Sequence, residues 1–226
     1  VNQDKLKEQV AHEAVNDIQD NMIVGLGTGS TMYYAIQRLG ERVKDGLNIK
    51  GIPTSEQTAK WAQQYGIPLT DFSEVSHLDI VIDGADEIDG NFQLIKGGGG
   101  ALLREKIVAN ATDQFIVIVD ESKYVKTLGK FKLPVEVIPF GWEVAAREIE
   151  ALGCEATLRV GKDGTFLSDN GHYILDCDFK EIHNPEKLNQ DLISIIGVVE
   201  TGLFINMVQK VLISYSNPEK IIALNN

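Results

Sequence analysis

Short apolar runs alternate with longer charged stretches along the first 130 residues. A charged helical pattern over 3–19 leads into the apolar run MIVGLG at 22–27. A helix from about 30 to 44 and a strand near IKGIP at 49–53 follow. The segment SEQTAKWAQQYG at 55–66 has the marks of a capped helix. Ser55 can satisfy the free N–H groups of its first turn, and Gly66 can end it. HLDIVID at 77–83 is a strand ending in an acid, FQLIK at 92–96 is another strand, and ALLREKIVAN at 101–110 reads as a helix. QFIVIVD at 114–120 is a fully apolar strand before its closing acid. Apolar runs separated by helices predict a parallel sheet covered on both faces.

The pattern changes after residue 130. LPVEVIP at 133–139 is a strand, WEVAAREIEALG at 142–153 a helix and CEATLRV at 154–160 a strand, followed by a turn at GKDG, 161–164. HYILDCDF at 172–179 is the next strand. NPEKLNQDLISI at 184–195 is a helix with Asn184 as its cap and Pro185 at the first helical position. GVVETGLF at 197–204 closes the set. The order β-α-β-β-α-β is the split ferredoxin-like unit. MVQKVLISYS and EKIIAL are expected to return to the first sheet as edge strands. The predicted fold is therefore α/β. A Rossmann-like, open, mainly parallel sheet with helices on both faces spans 1–130 and 206–226, and a smaller ferredoxin-like α+β domain, 131–205, is inserted in it.

A length of 226 residues suits one large domain or two modest ones. The charge balance, 21 Lys plus Arg against 33 Asp plus Glu, is −12, which argues against nucleic acid as a partner. The longest apolar runs, such as FIVIV at 115–119, fall far short of a membrane span. No charged-then-apolar leader opens the chain, so export is not expected. Cys154 and Cys177 form no CxxC pair, which suits a reducing cytoplasm. His12, His77, His172 and His183 are scattered, with no zinc spacing and no His–carboxylate relay. An acidic chain of this kind would hold an anion with local backbone donors and a few placed lysines.

Three glycine-containing segments follow predicted strands, and open α/β sheets gather ligands outside the carboxyl ends of their strands. In the first, Gly25-Leu26-Gly27-Thr28-Gly29-Ser30-Thr31, small residues present N–H groups at a helix start, and three hydroxyls add donors suited to a phosphate. The plain alternative is a tight turn without a ligand, and from the segment alone the two weigh evenly. Gly29 stands where a Walker loop needs lysine, and Ser30 where a dinucleotide fingerprint needs its third glycine. The next strand ends in Thr54 and Ser55, with no acid for a ribose, so a nucleotide cofactor is disfavoured. In the second, Asp83-Gly84-Ala85-Asp86-Glu87-Ile88-Asp89, the acids suit sugar hydroxyls or proton transfer, against the plain reading of a solvated turn. Ala85 breaks the alternation a calcium loop requires. In the third, Lys96-Gly97-Gly98-Gly99-Gly100, consecutive glycines cost backbone entropy, so a purely structural account is weak. Their N–H groups and the Lys96 charge suit an oxyanion. Glu105 lies about one turn into the following helix, where a surface glutamate would be the ordinary reading. Lys123 follows the apolar strand at 114–120 at the same expected sheet edge.

In order and spacing, GLGTGST, DGADEID, KGGGGALLREK and LGKFKLPVEVIP strongly resemble the ribose-5-phosphate isomerase A family. The likeness continues through DNG at 169–171 and GVVETGLF, so it covers essentially the whole chain. The resemblance implies interconversion of ribose 5-phosphate and ribulose 5-phosphate in the non-oxidative pentose phosphate pathway, with no metal or organic cofactor and commonly as a homodimer. It also implies site residues. Thr28, Gly29, Ser30 and Thr31 match the substrate-binding loop. Asp83, Gly84, Ala85 and Asp86 match a segment whose acids contact the sugar and are implicated in ring opening. Lys96, Gly97, Gly98 and Gly99 match the glycine loop, Glu105 the proton-transferring glutamate and Lys123 a further substrate-contacting lysine. Gly100 and Leu103 depart from the alanine and threonine of a well-known bacterial member, and leave the acid, base and lysine in place. On the same broad fold, coenzyme A transferases, glucosamine-phosphate deaminases and phosphosugar-sensing modules are the alternatives. A transferase would use its glutamate as a nucleophile. A deaminase is expected to bring a histidine to these segments, and a sensor a basic DNA-binding element that this chain lacks.

Overall fold

The computed structural model describes residues 3–217 and 219–226. Along the chain, α1 (Gln3–Val15), β1 (Ile23–Leu26), α2 (Ser30–Lys44), β2 (Lys50–Pro53), α3 (Glu56–Gln64) and β3 (Ile80–Asp83) come first. The short strands β4 (Glu87–Ile88) and β5 (Leu94–Ile95) precede α4 (Leu102–Ala109), β6 (Phe115–Asp120) and a 3-10 turn at Glu121–Lys123. Next are β7 (Leu133–Val137), α5 (Trp142–Glu150), β8 (Glu155–Leu158), the hairpin of β9 (Val160–Gly161) and β10 (Gly164–Thr165), and β11 (Tyr173–Asp178). The chain closes with α6 (Pro185–Ile193), β12 (Val198–Thr201), β13 (Leu203–Phe204), β14 (Lys210–Ser216) and β15 (Glu219–Asn225).

The chain folds as two compact units. The larger comprises Val1–Ala85, Arg104–Tyr124 and Met207–Asn226, and the smaller Asp86–Leu103 and Val125–Asn206. The sheet of the larger unit runs β15-β14-β6-β3-β1-β2 and is parallel except for β15. Side-chain alternation divides it cleanly. Val24, Leu26, Ile80, Ile82, Ile116, Ile118 and Leu212 pack with Val10 and Ala14 of α1, Ile36 and Leu39 of α2, and Ala62 of α3. On the opposite face α4 comes close: a Cβ added at Gly25 would lie 2.7 Å from Val108 and 2.5 Å from Val81. The Ser55 cap is in place, its Oγ accepting from the Thr58 amide. Among the described residues no helix is long and apolar enough to cross a membrane.

The smaller unit has a four-stranded antiparallel sheet in the order β12-β7-β11-β8. Leu133, Val135 and Val137 of β7 and Leu175 and Cys177 of β11 bury against Ala145 and Ile149 of α5 and Leu192 of α6. That is the ferredoxin-like βαββαβ unit. Asn184 caps α6 through the Lys187 amide, with Pro185 opening the helix.

Three strand expectations change. The run at 92–96 contributes only Leu94 and Ile95, which pair antiparallel with β4 and β13 in a separate three-stranded sheet, outside the parallel one. The run at 197–204 is two strands in two sheets, divided at Gly202, where a Cβ would lie 2.3 Å from the Lys96 carbonyl oxygen. β14 is interior, hydrogen-bonded to β6 on one side and β15 on the other. Because β5 pairs with β13, residues 86–103 group with the smaller unit, whereas the sequence-based division kept them in the larger.

Candidate active site

The order of the parallel sheet places a topological switch at its centre. From β1 the chain moves outward to β2, then returns to the other side of β1 to form β3. The carboxyl ends of β1 and β3 are therefore where a ligand crevice is expected. The Gly27 amide donates to the Ile82 carbonyl at 3.0 Å, continuing the ladder one residue past the end of β1. Beyond it, Asp83 Oδ1 accepts from the Thr28 amide at 3.0 Å and the Gly84 amide at 2.7 Å, and Asp83 is 1 % exposed. Gly27 is what permits this: a Cβ there would lie 2.1 Å from Asp83 Oδ1.

The Thr28 hydroxyl donates to Ser55 Oγ at 2.9 Å and lies 2.8 Å from Thr54 Oγ1. Thr58 and Thr54 in turn donate to the carbonyls of Gly27 and Leu26. Thr28 thus anchors its turn to α3. Gly29 is the N-cap of α2 and makes no side-chain cap bond, Ser30 is exposed and Thr31 half-buried. The start of α2 presents its amides and two hydroxyls with no acid in the first turn, the electrostatic setting for an anion. Of the hydroxyl residues that support the turn, sequence reasoning named Thr54 and Ser55 without assigning them this role and left Thr58 unmarked. Their spacing within a helix start gives no sign of what they meet. Lys123 lies half-buried in the 3-10 turn after β6, a turn fixed by Asp120, whose Oδ1 accepts from the Ser122 amide at 2.9 Å. Glu105 sits in the first turn of α4 and is 4 % exposed, against the ordinary expectation of a surface glutamate. Asp83, Gly84, Ala85, Glu105, Lys123 and the 28–31 turn all belong to the larger unit.

Asp86, Lys96 and the glycine loop belong to the smaller unit. Lys96 is 2 % exposed. Its amide donates to the Gly202 carbonyl, and its ammonium lies 5.5 Å from the centre of the Phe204 ring. Asp86 Oδ2 accepts the Gly98 amide at 2.7 Å. The Gly100 amide closes a turn onto the Gly97 carbonyl, and Gly100 has φ +81 with Phe166 where a Cβ would stand. Gly97 is buried and Gly99 exposed. The remaining acids of the DGADEID segment serve the fold: Glu87 accepts from the amides of Gly129 and Phe131, and Asp89 from those of Asn91 and Gln93. Among the described residues no group of His, Cys, Asp and Glu side chains is arranged to hold a metal ion.

Comparison with known proteins identifies the family. The family model of ribose 5-phosphate isomerase A (phosphoriboisomerase A) matches residues 50–218. The chain belongs to that family. It is 58 % identical to ribose-5-phosphate isomerase A 1 of Oceanobacillus iheyensis, over 93 % of this chain and 95 % of that one. With ribose-5-phosphate isomerase A of Bacillus mycoides it shares 51 % identity, over 94 % and 96 % of the two chains. The solved ribose 5-phosphate isomerase A of Methanocaldococcus jannaschii superposes with a TM-score of 0.94 at 43 % identity over the full length of both chains. A D-ribose-5-phosphate isomerase in complex with phospho-erythronic acid superposes at 0.96 with 39 % identity, again over all of both. The α/β reading and the isomerase family assignment thus agree with the comparisons.

Proposed function

We propose that the chain interconverts ribose 5-phosphate and ribulose 5-phosphate through a cis-enediolate, in the non-oxidative pentose phosphate pathway, with Glu105 carrying the proton between C2 and C1. The observation that supports this most is a carboxylate, 4 % exposed, one turn into the helix that follows the Lys96–Gly100 run. One carboxylate on one face of a planar enediolate can take the proton from C2 and return it to C1, so it needs no histidine partner. As the proton leaves, negative charge grows on the carbonyl oxygen. Lys96 neutralises it, helped by the Gly97 and Gly99 amides; loss of one such donor typically costs about 2.7–4 kcal/mol of transition-state stabilisation. An ammonium with little water around it acts more strongly on that oxygen than it would in bulk solvent.

Ribose phosphate is mainly cyclic, and Asp83 or Asp86 assists the ring opening that must come first. The start of α2, from Gly29 to Thr31, and Lys123 receive the phosphate. A phosphorylated sugar acid bound to one solved relative supports the same ligand class here, since its carboxylate resembles a planar, anionic enediolate. The chain acts as a homodimer without metal or organic cofactor, and its two free thiols suit a reducing cytoplasm.

The test is proton NMR of ribose 5-phosphate in deuterium oxide with the chelator-treated protein. Ribulose 5-phosphate carrying solvent deuterium at the transferred position is the expected product. Binding without product or exchange would overturn the isomerase reading in favour of a sensor. In the same assay Glu105→Gln should lose about 10²–10⁴-fold in kcat while still binding the substrate. Near-normal turnover would remove Glu105 from its role.

A further inference from the structure

Arg159 stands between β8 and β9, where its own backbone is fixed on both sides: its amide donates to the Ile174 carbonyl at 2.8 Å, and its carbonyl accepts the Phe166 amide at 2.9 Å. The side chain, 13 % exposed, forks onto Asp176 of β11, with Nε 3.0 Å from Oδ2 and Nη2 2.5 Å from Oδ1. The guanidinium carbon lies 5.6 Å from the centre of the Phe166 ring, the ring that also occupies the space beside Gly100. The third nitrogen, Nη1, reaches the glycine loop, 2.9 Å from the Gly97 carbonyl oxygen and 3.2 Å from that of Gly98.

We infer that Arg159 is a positioning residue for the isomerisation, which sets the direction and strength of the Gly99 amide as a donor to the oxyanion. The inference rests on the proposed role of the loop amides. A trans peptide points its C=O and N–H in opposite directions. The Gly97–Gly98 peptide is gripped at both ends, its carbonyl by Arg159 and its amide by Asp86. In the next peptide the Gly98 carbonyl is held on Arg159, so the Gly99 N–H is turned to the opposite side. A cation on a carbonyl also polarises that peptide and makes its N–H the stronger donor. Four glycines in a row would otherwise sample many orientations. The fork explains why the residue is arginine. Two nitrogens are locked by Asp176, so the third is aimed without further loss of freedom, a geometry a lysine ammonium cannot supply.

The experiment is steady-state kinetics of the whole protein with Arg159→Ala, Arg159→Lys and Asp176→Asn, with melting followed in parallel. A cleft lined by Gly98, Arg159 and Asp176, among others, gives a guanidinium ion from solution a route to the vacated space. Arg159→Ala should lose on the order of 10²-fold in kcat, the scale of a displaced catalytic group, with KM for ribose 5-phosphate within about twofold of wild type. Millimolar guanidinium chloride should restore part of the loss in Arg159→Ala and none in Glu105→Gln. Arg159→Lys should remain impaired, and Asp176→Asn should fall in between. Should Arg159→Ala fail to fold, Arg159→Lys and Asp176→Asn still decide the matter, because wild-type kcat in both overturns the inference. A raised KM with unchanged kcat overturns it as well, since Arg159 would then hold the substrate directly. If the unmutated chain does not isomerise, the parent reading falls and this one with it; if it turns over normally and Arg159→Ala matches it, this one falls alone.

Discussion

At Gly27 a single missing methyl group separates a working turn from a blocked one. A Cβ there would meet Asp83 at 2.1 Å, and Asp83 has no room to retreat, since the same oxygen holds the Thr28 and Gly84 amides. Gly27→Ala should therefore destabilise the protein by about 1–3 kcal/mol, the usual cost of forcing volume into a packed site. Tm should fall, and turnover should fall further than the loss of folded protein explains. Unchanged melting would mean that Asp83 is free to move. Composition and strand ends located this residue and its neighbours, because the glycines and acids are concentrated in three short segments. The division of labour inside a segment was not legible. In Asp83-Gly84-Ala85-Asp86-Glu87-Ile88-Asp89 the four acids look alike on paper. Glu87 turns out to hold the amides of Gly129 and Phe131, partners more than forty positions away. Arg159 was hidden for the same reason: it is one polar position within the strand run CEATLRV, and only the spatial approach of Gly97 and Gly98 gives it a task.

Among the elements, the β14–β15 hairpin is secured by two carboxylates. Glu121 Oε1 accepts from the hydroxyl and, at 3.0 Å, the amide of Ser216, and these bonds, the hydroxyl's first, hold its carboxyl below the usual carboxylate range. Glu219 is likewise held low by the Lys5 ammonium, 2.8 Å away, and then by Gln9. A folded-state pKa below the unfolded one stabilises the fold above the ordinary range, near 4.3 for glutamate, and the contribution is lost as pH falls through the lowered value. Glu121→Gln should thus have a lower urea midpoint than wild type at pH 7, with the gap narrowing as pH falls below the ordinary carboxylate range. A constant gap across that range would show that ionisation is not what the hairpin uses. Element type was readable from the alternation of apolar runs, since strands and helices bury different periodicities. Strand pairing was less so. An apolar run such as FQLIK announces burial without naming its neighbour, and β5 finds β13 across more than a hundred residues.

Over the whole molecule, apolar side chains left in solvent concentrate on the smaller unit. Phe140 and Ile196 are 91 % exposed, and Ile138, Val144 and Ile193 are also open. Ile138 and Gly197 are hydrogen-bonded neighbours, and Gly197 stands next to Ala145 of α5, so the segments that carry Ile138, Val144 and Ile196 lie side by side. Such a patch is characteristic of an interaction site. For the homodimer proposed above, the paired substitutions Phe140→Ser and Ile196→Ser should shift sedimentation from dimer to monomer with little change in melting of the individual chain. A wild-type protein that already sediments as a monomer would contradict this.

The interior position of β14 bears on how the polypeptide leaves the ribosome. β6, a run of buried apolar residues ending in Asp120, is flanked in the finished sheet by β3 and β14, yet residues 121–209 must be translated before β14 exists. Through that interval one edge of β6 has no native partner, and an unprotected apolar edge is a template for pairing with other nascent chains. Keeping that edge unoccupied until β14 arrives is a demand set by the order in which the sheet is assembled.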